Sequence, residues 1–229
     1  MIHKGQSPLE SRAAGIHVLA DDDPRWSADP VQQAAAACQG GAQVVQLRSK
    51  FATDRQTLEW ARAIRALTRE AGVHFVVNDR FDLALAAEAD GVHLGQDDLP
   101  PARIPVEALA RLEVGYSTHD LAQAKSAGAM KELDYVAFGP VYGTKSKDSP
   151  YSPRRIEALA EISRAVAPLP LVAIGGIHAG NLRDVLRAGA AGMAVISAVA
   201  ATPNPAEATR ELRRIFDESL DAFGAGELS

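Results

Sequence analysis

A single cysteine, Cys38, occurs in the 229 residues. That excludes an internal disulfide and a cysteine-based metal cluster. Its place in the Ala-rich run VQQAAAACQG reads as a small apolar helix position. No apolar run approaches the length of a membrane-spanning helix. The opening residues MIHKGQSPLESRAAG carry no signal-peptide core. Basic residues are not in excess: 24 Lys and Arg against 29 Asp and Glu give a net charge of −5 and a pI near 5.7. Nucleic acid and anionic membrane are therefore poor partners, although a locally positive pocket could still take a small anion. No Gly-x-Gly-x-x-Gly follows the first apolar run, and no Gly-x-Ser-x-Gly elbow occurs. No Pro/Gly/Ser linker divides the chain. The expectation is one cytoplasmic α/β domain, with residues 1–14 as an extension and 221–229 as a tail.

What is present is a series of short runs rich in Val and Ile. They lie at 16–20, 44–48, 74–79, 91–95, 114–117, 135–141, 171–176 and 192–198. Near-continuous apolar character suits parallel strands covered on both faces. Helical segments alternate with them. In DRQTLEWARAIRALTREAG, Leu58, Ala61, Ile64 and Leu67 share one face, and Gly72 marks the stop. Pro153 behind Ser152 opens another helix, and Asn181 caps a third. Eight alternating units over residues 15–220 predict a (β/α)8 TIM barrel. An open doubly wound sheet is the structural alternative.

In such a barrel the C-terminal strand ends share one face, where the active site is built. The ends here are polar in a consistent way. Strand two ends QLRSK, with Gln46, Arg48 and Lys50 at alternating positions. Strand three ends in Asn78, Asp79 and Arg80. Strand four is followed by Asp97 and Asp98. Asp79 and Asp98 together suit Mg²⁺, which takes one or two carboxylates plus water and phosphate oxygens; DDLPP also reads as a turn or helix start. Strand five ends in Ser117, Thr118 and His119. Ser117 is read as a donor to an anion, and His119 as a capping or packed residue. The loop after strand six carries Thr144, Lys145, Ser146 and Lys147, suited to phosphate or to plain solvation. Strand seven ends AIGGI and strand eight VISA, where a backbone phosphate cradle would form. The set reads as two phosphorylated groups side by side, one needing a metal.

The ordered set QLRSK, VVNDR, ADGVHLGQDDL, GYSTH, GPVYGTKSK, VAIGGI and AVISA resembles the thiamine phosphate synthase family across nearly the whole chain. The resemblance implies a transferase that joins a hydroxymethylpyrimidine diphosphate to a thiazole phosphate, with Mg²⁺ as cofactor. It implies pyrimidine diphosphate contacts at Gln46, Arg48, Lys50, Asn78, Ser117 and Lys147. It implies metal ligands at Asp79 and Asp98, and a thiazole phosphate site at Thr144, Ser146, Gly176, Ile196 and Ser197. Arg48, Lys50, Lys147 and Ser117 would act in catalysis, by stabilising charge rather than by acid–base work. Three departures stand out: IHVLADDD lacks the aromatic-rich Y-x-(I/V)-T-D start, AGAMKELDYV is a longer link, and Gly143 loosens the phosphate loop. The nearest rival is a thiazole tautomerase, an isomerase with a similar barrel, in which the metal-site acids are lost and a histidine near His119 moves a proton. Retention of Asp79 and Asp98 favours the synthase. Oligomeric state, including a homo-oligomer, is left open by the sequence.

Overall fold

The computed structural model describes residues 8–143 and 155–224. All eight expected runs form strands: β1 (Gly15–Asp21), β2 (Val44–Arg48), β3 (His74–Asn78), β4 (Gly91–Leu94), β5 (Glu113–Thr118), β6 (Tyr135–Phe138), β7 (Leu171–Ile174) and β8 (Gly192–Val195). Neighbours pair in parallel and in sequence order, and β8 returns to β1, so the sheet is a closed barrel. The open doubly wound alternative is thereby excluded. Helices α1 (Pro30–Gln39), α2 (Asp54–Ala71), α3 (Phe81–Ala86), α4 (Val106–Leu109), α5 (Leu121–Gly128), α6 (Arg155–Val166), α7 (Leu182–Arg187), α8 (Ser197–Ala200) and α9 (Pro205–Gly224) follow the strands. Among the described residues no helix is long and apolar enough to cross a membrane.

Strand alternation divides the core into two layers. Outward residues such as Val18, Val45, Phe75, Val92, Val136 and Met193 pack beneath the helices. Inward residues form a smaller cluster of Leu19, Tyr135, Ala137, Val172, Ala194 and Ile196. The interior also holds polar side chains: His17, Gln46 and His93 are all buried. At the base of the barrel, Asp90 accepts both terminal nitrogens of Arg65 (2.8 and 3.0 Å) and the backbone N–H of Phe75 (2.9 Å). One carboxylate thus ties α2 to the start of β3.

The α2 face is turned slightly from the expected one. Its buried residues are Thr57, Ala61, Ile64 and Thr68, while Leu58 packs at the margin and Leu67 is only half-buried. Both threonines can be buried because their hydroxyls donate to backbone carbonyls one turn back, at Thr53 and Arg65. Gly72 ends α2 in the left-handed region (φ 67°), as expected. Asn181 sits at the start of α7 but does not cap it. Its amide donates to the Gly176 carbonyl and its oxygen accepts from the His178 N–H, bracing the β7–α7 loop instead. Pro153 and Ser152 lie outside the described residues.

The loops above β1 and β2 are joined by Asp22. Its carboxylate accepts the backbone N–H groups of Lys50, Phe51 and Ala52 at 2.7–2.9 Å and the hydroxyl of Ser49 at 3.0 Å. Burial pushes the Asp22 carboxyl up, but these donors together hold it below its ordinary value of 3.8.

Two outcomes are expected. A Cβ at position 72 would meet nothing within 4 Å. Gly72→Ala should therefore cost only the left-handed backbone strain, about 1 kcal/mol by urea denaturation. Asp22 has a lowered folded pKa, so its stabilisation is present above pH 3.8 and lost as the pH falls through the lower folded value. The stability gap between wild type and Asp22→Asn should be widest above about pH 4 and narrow in stronger acid. A gap independent of pH would contradict the role given to the carboxylate.

Candidate active site

The C-terminal mouth is built from the inner ends of β1 to β5. Asp21, fully buried, ends β1. It accepts from Arg48 (2.6 Å), from the Trp26 indole N–H (3.2 Å) and from the Asp23 backbone N–H (2.9 Å). A buried carboxylate needs such partners, because an unpaired charge there is strongly destabilising. Gln33 of α1 fixes the Asp21 backbone, donating to its carbonyl (2.8 Å) and accepting its N–H (3.0 Å). Arg48 is therefore held at the mouth by a carboxylate rather than left to wave in solvent. This Asp21–Trp26–Arg48 grouping was not read from the sequence, where IHVLADDD was noted only for its missing aromatics. The aromatic arrives instead from the following loop: Trp26 packs against the inner cluster of the barrel.

Lys50 is aimed by the loop that Asp22 clamps. Its ammonium lies 2.5 Å from the Asp79 carboxylate. Asp79 also accepts from the Asn78 side-chain amide (2.6 Å). The residue adopts φ 67°, a conformation uncommon outside glycine, and its N–H donates to the His93 carbonyl (2.7 Å). That turn directs the carboxylate across the mouth. Arg80, third of the polar residues ending β3, points away and pairs with Asp82 and Asp54. It is a brace rather than a site residue.

Asp97 and Asp98 part company. Asp97 is exposed, while Asp98 is half-buried and accepts the Gly95 N–H (2.6 Å). The helix-start reading of DDLPP fails, because the short turn beginning at Pro101 has Pro100 at its cap position and no side-chain cap. Burial raises the Asp98 carboxyl, the Gly95 N–H opposes that, and the charge of Asp79 raises it further. The two acids, which follow β3 and β4, are thus near enough for the charge of one to act on the other, with the Lys50 charge opposing.

Gln46 and Ser117 line one cavity in the barrel interior with His17, His93 and Tyr135. The Ser117 carbonyl accepts from the Gln96 amide (2.5 Å), and its Oγ lies 2.8 Å from Nε2 of His93. The sequence reading passed over His17, His93, Tyr135 and Gln96. Burial pulls His17 down to about 4, so it is neutral at pH 7. His119 is packed: its Nδ1 is 2.7 Å from the Gly139 carbonyl and its backbone N–H donates to Gln123.

On the far side, Gly175 (φ 103°) and Gly176 (φ 62°) turn the chain after β7. A Cβ on Gly176 would fall 2.5 Å from the Gly143 carbonyl, so only glycine lets the loops after β6 and β7 meet. Ile196 and Ser197 are not strand residues. The strand ends at Val195, Ile196 takes the cap position of α8, and Ser197 begins the helix. An apolar run carries no mark separating a strand from the helical turn that follows. Thr144, Lys145, Ser146 and Lys147 lie outside the described residues.

Residues 16–199 match the family described as thiamine monophosphate synthase. The thiamine-phosphate synthase of Chloroflexus aurantiacus is 46% identical over 180 residues, covering 79% of this chain and 82% of that protein. That of a Roseiflexus species is 42% identical over 217 residues, covering 93% and 90%. Among solved structures, a thiamine phosphate pyrophosphorylase from Pyrococcus furiosus superposes with a TM-score of 0.80 at 37% identity, covering 91% of this chain and 98% of that one. A 3-hexulose-6-phosphate synthase shares the fold alone, at 17% identity and a TM-score of 0.62. A barrel whose polar strand ends are ordered in this way, with relatives this similar over most of their length, belongs to the thiamine monophosphate synthase family and is a transferase.

Proposed function

We propose that the chain condenses 4-amino-2-methyl-5-hydroxymethylpyrimidine diphosphate with 4-methyl-5-(2-phosphoethyl)thiazole, giving thiamine phosphate and pyrophosphate in the cytoplasm. The observation that carries this reading is the Lys50–Asp79 ion pair at the end of β3, with Asp98 near enough to feel the Asp79 charge and Arg48 held at the end of β2 by Asp21. Two nearby carboxylates repel, which is the situation a divalent cation relieves. Among the described residues no group of three or more His, Cys, Asp or Glu gathers around a metal position. A pair of hard oxygen donors still suits Mg²⁺, whose other positions go to water and substrate phosphate. Asp79 and Asp98 would hold Mg²⁺, which supplies charge neutralisation to a departing diphosphate.

The residues themselves do the following in this reading. Arg48, Lys50 and Lys147 bind the diphosphate and stabilise the charge that grows on it as the methylene C–O bond breaks. The electron pair leaves with pyrophosphate, and the aminopyrimidine ring stabilises the carbocation that remains. Gln46, Asn78 and Ser117 orient the pyrimidine half. Thr144, Ser146, Gly176, Ile196 and Ser197 hold the thiazole phosphate, so that the thiazole nitrogen is poised to form the new C–N bond. The mechanism is dissociative and requires no general base, in keeping with the packed setting of His119.

An assay with both substrates, following thiamine phosphate and pyrophosphate together, tests the reading. Stoichiometric, Mg²⁺-dependent formation of both is expected. A folded sample that makes neither would redirect the assignment to an isomerase acting on a thiazole carboxylate phosphate. Asp98→Ala should lower Mg²⁺-dependent turnover at least tenfold, about 1.4 kcal/mol or more, while thiazole phosphate binding by calorimetry stays near wild type. Equal turnover at matched Mg²⁺ would remove Asp98 from the metal site. Lys147→Ala should slow pyrophosphate release in single-turnover experiments, and an unchanged rate would exclude it from the chemistry.

A further inference from the structure

The barrel interior contains a hydrogen-bonded chain that the proposed chemistry leaves unexplained. Tyr135, on β6, is 2% exposed. Its ring stacks on His93 (5.5 Å between centroids, 25° between planes) and meets the edge of His17 (5.8 Å, 65°). Gly115 on β5 makes this seat. A Cβ there would come within 2.0 Å of the Tyr135 ring carbon that bears the hydroxyl. The Tyr135 hydroxyl lies 3.0 Å from Nδ1 of His93, and the Ser117 hydroxyl 2.8 Å from Nε2. Both imidazole nitrogens are thus engaged, one by a core phenol and the other by a residue of the site.

The direction of these bonds follows from elimination. Burial keeps the Tyr135 phenol protonated, so it carries one hydrogen that must find an acceptor. Among the described residues its hydroxyl makes no other hydrogen bond. The neighbouring His17 has its Nε2 engaged with the Ala13 carbonyl. If His93 were protonated at Nδ1, as the other tautomer or as the imidazolium, that nitrogen would donate to Tyr135. The phenol hydrogen would then lose the one acceptor that the described residues offer it, which is costly. Tyr135 must therefore donate to Nδ1, and His93 is neutral with its proton on Nε2. That proton is donated to the Ser117 Oγ. The Ser117 hydroxyl hydrogen, unable to point at His93, turns to the cavity that Gln46 also lines.

We propose that Tyr135 and His93 are positioning residues, a one-way relay (Tyr135 to His93 to Ser117) that turns the Ser117 hydroxyl hydrogen toward the substrate. The proposal rests on the reading of Ser117 as a pyrimidine diphosphate contact. It deepens that reading into a specificity rule: with its hydrogen free and one lone pair taken by His93, this position favours a ring nitrogen or phosphate oxygen over a group that can only donate.

The test begins with the substrate-free wild-type protein, labelled with ¹⁵N-histidine. Long-range ¹H–¹⁵N correlation distinguishes the tautomers directly, with the His93 signals assigned by their loss in His93→Gln or by side-chain correlation in the wild type. A neutral Nε2–H imidazole at pH 7 is expected, and an Nδ1–H tautomer or an imidazolium would overturn the relay. Tyr135→Phe removes the donor and should convert His93 to a tautomer mixture. It should also raise KM for the pyrimidine diphosphate about tenfold, about 1.4 kcal/mol, while KM for the thiazole phosphate stays within about twofold, about 0.4 kcal/mol. An unchanged tautomer, or an equal rise in both KM values, would overturn it as well. The functional reading fails separately: the Nε2–H tautomer in a folded protein that does not turn over the pyrimidine diphosphate supports the relay and sinks the activity.

Discussion

The pairing of β1 with β8 is the constraint on which everything else rests. Gly15 to Val18 lie alongside Gly192 to Val195, and this last ladder closes the sheet. The strands meet so closely here that a Cβ on Gly192 would press on the carbonyls of Ala13 and Gly15. Closure removes sheet edges and brings eight strand ends to one rim. Residues as far apart in sequence as Asp21, Asp79 and Ser117 become neighbours of a single opening because of it.

The rim is acidic and basic at once, and its acids have separate duties. Asp21 and Asp22 serve the protein itself: one fixes Arg48 and Trp26, the other fixes the backbone from Lys50 to Ala52. Asp79 and Asp98 follow β3 and β4, the first paired with Lys50 and the second half-buried against the Gly95 N–H. The first two are rich in N–H donors and settled, whereas the second pair repel one another and stay receptive to a cation. By fixing Arg48 and the loop that carries Lys50, the first pair sets the cations that meet the second. A reaction that depends on charge stabilisation rather than proton transfer gains most from such preorganisation.

Much of this could be read from residue order. The eight Val- and Ile-rich runs became eight strands because parallel strands buried on both faces require that character. Strand periodicity puts Gln46 and Arg48 on one side of β2, whereas Lys50 lies past the strand and is placed by the loop on Asp22. Where signals were weaker, the reading slipped. The run ending at residue 198 took in the cap of α8, since apolar residues suit strand and helix alike. Asn181 has the right type for a cap, yet its side chain is taken by Gly176 and His178. Asp97 and Asp98 are adjacent carboxylates in sequence, and only the fold of the Gly95 turn sends one outward and one inward.

His17, His93 and Tyr135 show where residue order stops. Each sits within an apolar run, and in a strand buried on both faces the sequence does not say which residues look inward. Their chemistry depends on a stacking distance, a vacancy at Gly115 and a hydrogen bond between His93 and Tyr135, all of which come from strands far apart in the chain. The sequence by itself determined the barrel, the polar strand ends and the family, because these follow from local periodicity and ordered motifs. Tertiary structure alone decided which acids brace and which lie near each other, and how the interior hydrogen bonds run. Those depend on distances between strands, and a linear pattern carries no distances.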